Sequence, residues 1–219
     1  MILSKLALNP GSRQARSDLG DAYKLHKTIL RAFPTPLPDD ERVLFRVETQ
    51  RERYSAPTVL VQSAHLPDWE QITRRFEDYL SEAAQVKNLS QLALKNGELL
   101  RFRLRANPSR RVKTQTDGEG EKSRRVAIYR DDERAAWLLR KGKTHGFEVI
   151  EESLIIKPYP QRNFLISSGE KTHRATINVV DFEGLLRVND KDALLSGLRS
   201  GIGPAKGLGC GLLSLARAG

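Results

Sequence analysis

The sequence predicts an α+β fold: two tandem β-α-β-β-α-β units, each with an antiparallel sheet. Three observations carry this. Short apolar runs of strand length are interleaved with amphipathic stretches of helical period. The order β-α-β-β-α-β runs to about residue 106 and repeats after about residue 125. With 219 residues, the chain is long enough for two small cores.

In the first unit, Ile2, Leu3, Leu6 and Leu8 mark a strand that Asn9-Pro-Gly11 ends. A basic, polar connection with Arg13 and Arg16 follows. A helix is expected from about Asp21 to Phe33, with Asp21 complementing the dipole and Pro34 stopping it. Its apolar stripe is Ala22, Leu25, Ile29, Ala32 and Phe33. Strands follow at Val43–Val47 and Val59–Val61, joined by a polar segment around residues 51–54. A second helix starts near Pro67-Asp68, with Trp69, Ile72, Phe76 and Leu80 buried. Leu99–Ala106, after the turn at Asn96-Gly97, closes the unit as its fourth strand. This is the ferredoxin-like order that RNA-recognition modules also use.

Residues 107–124 read as a linker or loop. The expected division is therefore 1–111, a linker at 112–124, and 125–219. In the second unit, Val126–Tyr129 is a short strand, and Asp131–Lys141 a helix that Gly142 ends. Phe147–Ile156 is a strand bounded by Pro158 and Pro160. Asn163–Ser167 pairs through a turn at Ser168–Lys171 with a long strand, Thr172–Val188. A helix from Asp190 to Arg199 leads into a glycine-rich segment and a last strand, Leu212–Ala216.

Charge narrows the function. Lys and Arg total 37 against 27 Asp and Glu, a net charge of +10, which favours a polyanionic partner. A single cysteine, Cys210, excludes an internal disulfide and a Cys-rich zinc site. Four scattered histidines have no metal-ligand spacing, so neither metal nor cofactor is called for. No apolar run is long enough for a signal peptide or a membrane span, which reads as a soluble, cytoplasmic protein with no membrane partner.

Several groups of residues are candidates for binding a nucleic acid. Strict alternation sends Arg101, Arg103 and Arg105 to one sheet face, either a phosphate track or a solvated face with nearby carboxylates. Arg110 and Arg111, with Arg124 and Arg125, flank the linker. Arg162, Lys171 and Arg174 lie on the expected hairpin, near the tip of which His173 also falls. Five glycines fall between Gly201 and Gly211, with Lys206 among them. Such a run exposes backbone N–H groups beside a cation, which suits phosphate; Gly203, Lys206 and Gly207 are its candidate contacts. It matches neither a Walker A loop nor a dinucleotide fingerprint, and it serves equally as a tight connection that packs the domains.

Tyr23 and His26 are three residues apart, hence neighbours on one helix surface near its N-terminus. They suit acid–base work over a bound phosphate, or simply rim the core.

Six strings occur in one order: Leu3–Leu6, Tyr23–His26, Phe102–Pro108, Ala136–Leu138, Phe182–Gly184 and Gly201–Ser214. Together they resemble the CRISPR RNA-processing endoribonucleases of type I-E systems, the CasE family, over essentially the whole chain. The resemblance implies two ferredoxin-like domains and metal-independent cleavage of precursor CRISPR RNA at the 3′ base of the repeat stem-loop. The ribose 2′-OH attacks the adjacent phosphate, leaving a 2′,3′-cyclic phosphate (or 3′-phosphate) and a 5′-OH. It implies retention of the guide RNA and assembly with the other Cascade subunits. Tyr23 and His26 match the family's catalytic pair, with His26 the principal acid–base residue. A hairpin of the second domain enters the RNA groove, a place that Arg162, Lys171 and Arg174 fit. Lys171, Arg174 and Lys206 are open candidates for stabilising the charged phosphorane. The alternative is a subunit that holds structured RNA without cutting it.

Overall fold

The computed structural model describes residues 1–48, 55–114, 122–159, 162–168 and 171–218. The polar segment at 51–54 lies outside them.

The first unit contains β1 (Ile2–Ala7), α1 (Arg13–Gly20), α2 (Ala22–Leu30), β2 (Leu44–Val47), β3 (Thr58–Ser63), α3 (Glu70–Arg75) and β4 (Gln85–Asn88). Its strands form an antiparallel sheet in the order β2-β3-β1-β4. Leu25 and Ile29 of α2, with Phe33 beyond it, pack on Leu6, Phe45, Val59 and Val61 of the sheet. That burial, rather than helix propensity alone, keeps a helix this short folded.

Two features of this unit differ from expectation. The segment read as a connection through Arg13 and Arg16 is α1. Its buried residues are only Ala15 and Asp18, so it carries no apolar stripe. It is held instead by polar partners: the Ser12 hydroxyl caps it, and buried Asp18 accepts a 2.8 Å hydrogen bond from the Tyr79 hydroxyl. The helix expected from Pro67 to Leu80 is shorter, because Phe76 leaves helical φ/ψ. Trp69 is buried, its indole N–H donating to Ser4 Oγ at 3.0 Å. Leu80 instead forms a β-bridge with Leu8.

The second unit contains β5 (Leu99–Ala106), β6 (Ser109–Thr114), β7 (Lys122–Ala127), α4 (Asp131–Thr144), β8 (Phe147–Val149), β9 (Ile155–Pro158), β10 (Arg162–Ser168), β11 (Lys171–Ile177), β12 (Val180–Val188), α5 (Lys191–Ser200) and β13 (Leu213–Arg217). The main sheet runs β13-β5-β12-β8, and β9 also pairs β12. Phe102, Leu104, Phe182 and Leu186 from the sheet bury Trp137 and Leu138 of α4 and Leu194 and Leu198 of α5.

This topology corrects the expected domain division. Leu99–Ala106 is the central strand of the second sheet, paired with β12 over its full length, not the fourth strand of the first. The first unit closes with β4, an edge strand exposed at every position and therefore invisible to apolar patterning. The boundary falls between Asn88 and Leu99, not at 112–124. The supposed linker is itself structured: β6 and β7 form a two-stranded antiparallel ribbon, and its residues 115–121 lie outside the described ones. The strand expected at Phe147–Ile156 is broken by a 3-10 turn at Glu151–Ser153. The long strand Thr172–Val188 breaks at Asn178, whose amide nitrogen Nδ2 donates to the Ile128 carbonyl at 2.7 Å. The preceding part, β11, pairs with β10 as a separate hairpin.

The units are joined through β2 and β5. Arg46, 2% exposed, donates to the carbonyls of Leu212 (3.1 Å) and Arg103 (3.3 Å), to Ser214 Oγ (2.9 Å) and to Glu48 (2.7 Å). Gln62 Nε2 adds a 2.6 Å hydrogen bond to the Leu198 carbonyl.

Candidate active site

Asp21 starts α2: its carboxylate accepts hydrogen bonds from the backbone N–H of Tyr23 at 2.9 Å and of Lys24 at 3.4 Å. Leu25, Thr28 and Ile29 face the core. Tyr23 and His26 flank that buried line and are half-buried. The His26 imidazole stacks on Phe45 of β2, with ring centroids 5.9 Å apart and planes 14° off parallel.

The second unit also reaches the imidazole. Between α5 and β13 the glycine segment makes a 3-10 turn, Lys206–Leu208. A β-carbon on Gly207 would lie 3.2 Å from His26 Cδ2 and 3.3 Å from Nε2. Gly209 lies against Phe45 in the same way, at 3.2 Å, and its φ of +80° is one an L side chain resists. Glycine is required here so that one domain can approach the other. The imidazole thus packs against both Phe45 and the Gly207 turn.

That packing sets the imidazole's chemistry. His26 Nδ1 is buried and makes no hydrogen bond. Burial lowers the His26 pKa below its ordinary value, so the ring is neutral near pH 7. A buried nitrogen without a partner costs about 1–3 kcal/mol and is most often retained where a site has a use for it. Nε2, on the side of Gly207, is the nitrogen left to exchange a proton. Lys27, which the sequence reading passed over, places its ammonium 4.4 Å from the centre of the Tyr23 ring. The i, i+4 spacing of those two residues was its available signal.

Lys206 stands next to Gly207. Its pKa is lowered, first by burial and then by the charges of Arg42 and Lys141. Gly203 has a φ of +84° and lies against the Trp137 ring.

The arginine strand has a different role from the expected track. Arg103 donates to Glu48 at 2.7 Å and to Asp181 at 2.9 Å. Arg105 donates to both oxygens of Asp181 (2.7 and 2.9 Å), to the Val47 carbonyl (2.7 Å) and to the Tyr159 hydroxyl (2.8 Å). Asp181 is buried, which works against its charge. The hydrogen bonds and charges of Arg105 and Arg103 outweigh that and hold it below the usual carboxylate range. Arg103 and Arg105 therefore spend their charge joining the units; of the three, only Arg101 is exposed.

The remaining cations lie on the two ribbons. Arg110 and Arg111 are exposed on β6, and Arg110 makes a 3.4 Å ion pair with Glu133. Arg111 sits directly across from Arg125 of β7, a like-charge cross-strand pair that an anion would relieve. Arg162 lies on β10, and Lys171 and Arg174 on β11, with their side chains outside the described residues. Among the described residues no helix is long and apolar enough to cross a membrane.

The chain and its fold match known proteins. A family model described as CRISPR associated protein matches residues 1–217. The chain is 39% identical over 225 residues to the CRISPR-associated endoribonuclease Cse3 of Thermus thermophilus, covering 99% of this chain and 100% of that one. It is 35% identical over 222 residues to the CRISPR system Cascade subunit CasE of Escherichia coli, covering 99% of each. The solved structure of Thermus thermophilus Cse3 bound to an RNA representing a pre-cleavage complex matches with a TM-score of 0.79 at 36% identity, over 98% of both chains. An antiparallel α/β protein with two main sheets is thus placed among proteins of CRISPR systems. The chain belongs to the CRISPR-associated protein family.

Proposed function

We propose that this protein is an endoribonuclease that cuts precursor CRISPR RNA at the repeat stem-loop and keeps the product as a subunit of a Cascade complex. The observation that carries this is the end-to-end likeness to a ribonuclease solved with pre-cleavage RNA. The packed, neutral His26 is consistent with it. We read both units as ferredoxin-like. In chain order within each unit, the sheets run fourth, first, third, second strand.

The chemistry is metal-independent transphosphorylation. His26 Nε2 takes the proton of the 2′-OH upstream of the cut, and that oxygen attacks the adjacent phosphorus. The P–O5′ bond breaks, the 5′-oxygen takes a proton from water and leaves as a hydroxyl, and His26 returns the proton it took to the solvent. The products are a 2′,3′-cyclic phosphate and a 5′-OH. Tyr23 serves by hydrogen bonding that aligns the phosphate. Lys206, next to Gly207 in the 3-10 turn, is a candidate for opposing the charge of the phosphorane. Lys171 and Arg174 on the hairpin remain candidates for the same duty, and Arg162 for holding the stem.

The test is cleavage of the repeat hairpin in excess EDTA, beside a hairpin carrying one 2′-deoxy sugar just upstream of the cut. The expected result is cleavage of the first and binding without cleavage of the second. His26→Ala should lose about 10²–10⁴-fold in rate while still binding. Cleavage of the deoxy RNA at the same site would overturn the mechanism. Tight binding with no cleavage of either would establish a subunit that holds RNA without cutting it.

A further inference from the structure

We infer that the ribbon β6–β7 is a second RNA-holding arm, seated between the two phosphate strands of the stem whose cut site lies at His26. This rests on the ribonuclease reading above.

The ribbon is dense in cations. β6 carries Arg110, Arg111 and Lys113, β7 carries Lys122, Arg124 and Arg125, and neither strand holds an acid. The register places the arginines. Arg111 is directly opposite Arg125, so those two share one face. Arg110 is opposite Val126, and Arg124 is opposite Val112, so Arg110 and Arg124 lie diagonally on the other face. Like charges directly opposite destabilise a strand pair, and diagonal neighbours are within reach of long side chains. All four arginines are exposed. Among the described residues, their one ion pair is the 3.4 Å contact of Arg110 with Glu133. The acids between the two strands, Asp117, Glu119 and Glu121, lie outside the described residues.

The consecutive arginines decide what the ribbon fits. Cations alternating along a strand would all fall on one face and suit a single phosphate strand. Here each face carries a pair, which suits a place between two strands. Duplex RNA offers such a place, and it is held mostly through phosphate and 2′-hydroxyl contacts rather than through base edges.

The root of the ribbon sets it at the site. Only Asn107 and Pro108 separate β5 from β6. Buried Asn178 ties both ends of the ribbon: its backbone N–H donates to Asn107 Oδ1 at 3.3 Å, and its Nδ2 donates at 2.7 Å to the carbonyl of Ile128, the residue after β7. Asn178 also directly follows β11, so the two ribbons fork from one point. Its neighbours Ile177 and Val179 form a cluster with Cys210, and Ala22 and Leu208 pack against that cluster. Ala22 precedes Tyr23 on α2, and Leu208 follows Gly207 in the turn that reaches His26. A stem whose base is seated at His26 therefore lies at the fork.

The test is the salt dependence of binding to the 2′-deoxy hairpin. Arg111→Gln/Arg125→Gln and Arg110→Gln/Arg124→Gln each remove the pair from one face. Each should lower the slope of log K against log salt by about 1.4–1.8, the value for two lost phosphate contacts. Arg111→Lys/Arg125→Lys keeps the charge and should retain the wild-type slope, which separates lost charge from lost packing. Arg75→Gln/Arg187→Gln removes the same net charge from exposed positions elsewhere and should leave the slope alone. A fall in only one of the two face variants would mean that the ribbon lies flat on one strand, and it overturns the placement between two. No fall in either would mean that the ribbon is neutralised by its own connecting acids or serves an acidic protein surface, and an equal fall in the Arg75/Arg187 variant would mean that only net charge matters; both overturn the arm. If the wild-type protein neither binds nor cuts the hairpin, the ribonuclease reading itself fails.

Discussion

Replacing Gly207 by alanine tests whether the second unit positions the His26 imidazole for the proposed cleavage. The new methyl would lie 3.2 Å from His26 Cδ2 and 3.3 Å from Nε2. Comfortable carbon contacts are about 3.5–4.0 Å, so the ring must retreat by a few tenths of an ångström. Gly207 is not among the positive-φ glycines, so its backbone accepts alanine without strain. The loss of chain entropy in the unfolded state favours alanine by about 0.4–1 kcal/mol and offsets the crowding. Stability should therefore change by less than about 1 kcal/mol. Catalysis is less forgiving: a 1 Å misplacement costs about 100-fold, so a few tenths should cost roughly 3- to 10-fold. Single-turnover cleavage of the repeat hairpin at saturating protein reads this directly, with affinity measured in parallel. Gly209→Ala is the contrast. Its φ of +80° and its 3.2 Å approach to Phe45 should cost about 1–2 kcal/mol of stability. A wild-type rate in Gly207→Ala, or a loss that tracks weaker binding, would refute the argument that the turn holds His26 in place.

Burial lowers the His26 pKa, so between that lowered value and about 6.5 the unfolded chain binds more protons than the folded one. Its stabilising contribution is present in full above about pH 6.5 and is lost as pH falls through the folded value. His145, lowered by burial and then by Lys141 and Lys206, acts in the same direction. His26→Gln should therefore flatten the acid limb of a urea-unfolding series without altering its slope above about pH 7; an unchanged acid limb would show that His26 is not buried as a neutral ring. Arg46→Met removes a guanidinium that is 2% exposed and bonded across both units. Denaturant unfolding should register a loss of about 3–5 kcal/mol, and a loss below about 1 would show that the clamp is dispensable. Tyr23→Phe, which deletes only the hydroxyl, should slow cleavage by about 10- to 100-fold, the worth of a hydrogen bond to a charged group, and leave binding intact. A full rate would remove Tyr23 from the site.

What could be read from the sequence follows from where burial is one-sided. α2, α4, α5 and the strands β1, β3, β5 and β12 bury one face, and their apolar residues recur at helical or strand period. Spacing put Tyr23 and His26 side by side on α2, where both are half-buried, and composition marked the glycine segment. Elements lacking an apolar face were missed or misplaced. β4 is exposed at every position, and α1 is fastened by Ser12 and Asp18 rather than by a stripe. The ribbon β6–β7 has a polar, arginine-rich sequence that reads as a linker. With β4 unseen, the next apolar run was assigned to the first sheet, and one such shift moved the whole domain boundary. Sequence period tells that a strand exists, whereas its partner is set by long-range pairing that no local pattern encodes.

The arginine strand shows why this matters for function. Alternation correctly placed Arg103 and Arg105 on one face of β5, and their charge correctly called for anions. The anions are Glu48 from the first unit and Asp181 from the neighbouring strand. Glu48 follows β2, the strand that carries Phe45 under His26, and Gly211 donates its N–H to the Arg105 carbonyl at 2.7 Å, tying the glycine segment to β5. A single strand thus fixes both walls of the imidazole pocket: Phe45 through the Glu48 ion pair, and the Gly207 turn through Gly211. Weakening that ion-pair network should separate those walls before it unfolds either sheet, so loss of catalysis should precede loss of structure along a denaturant series. Coincident transitions would mean instead that the two units unfold as one.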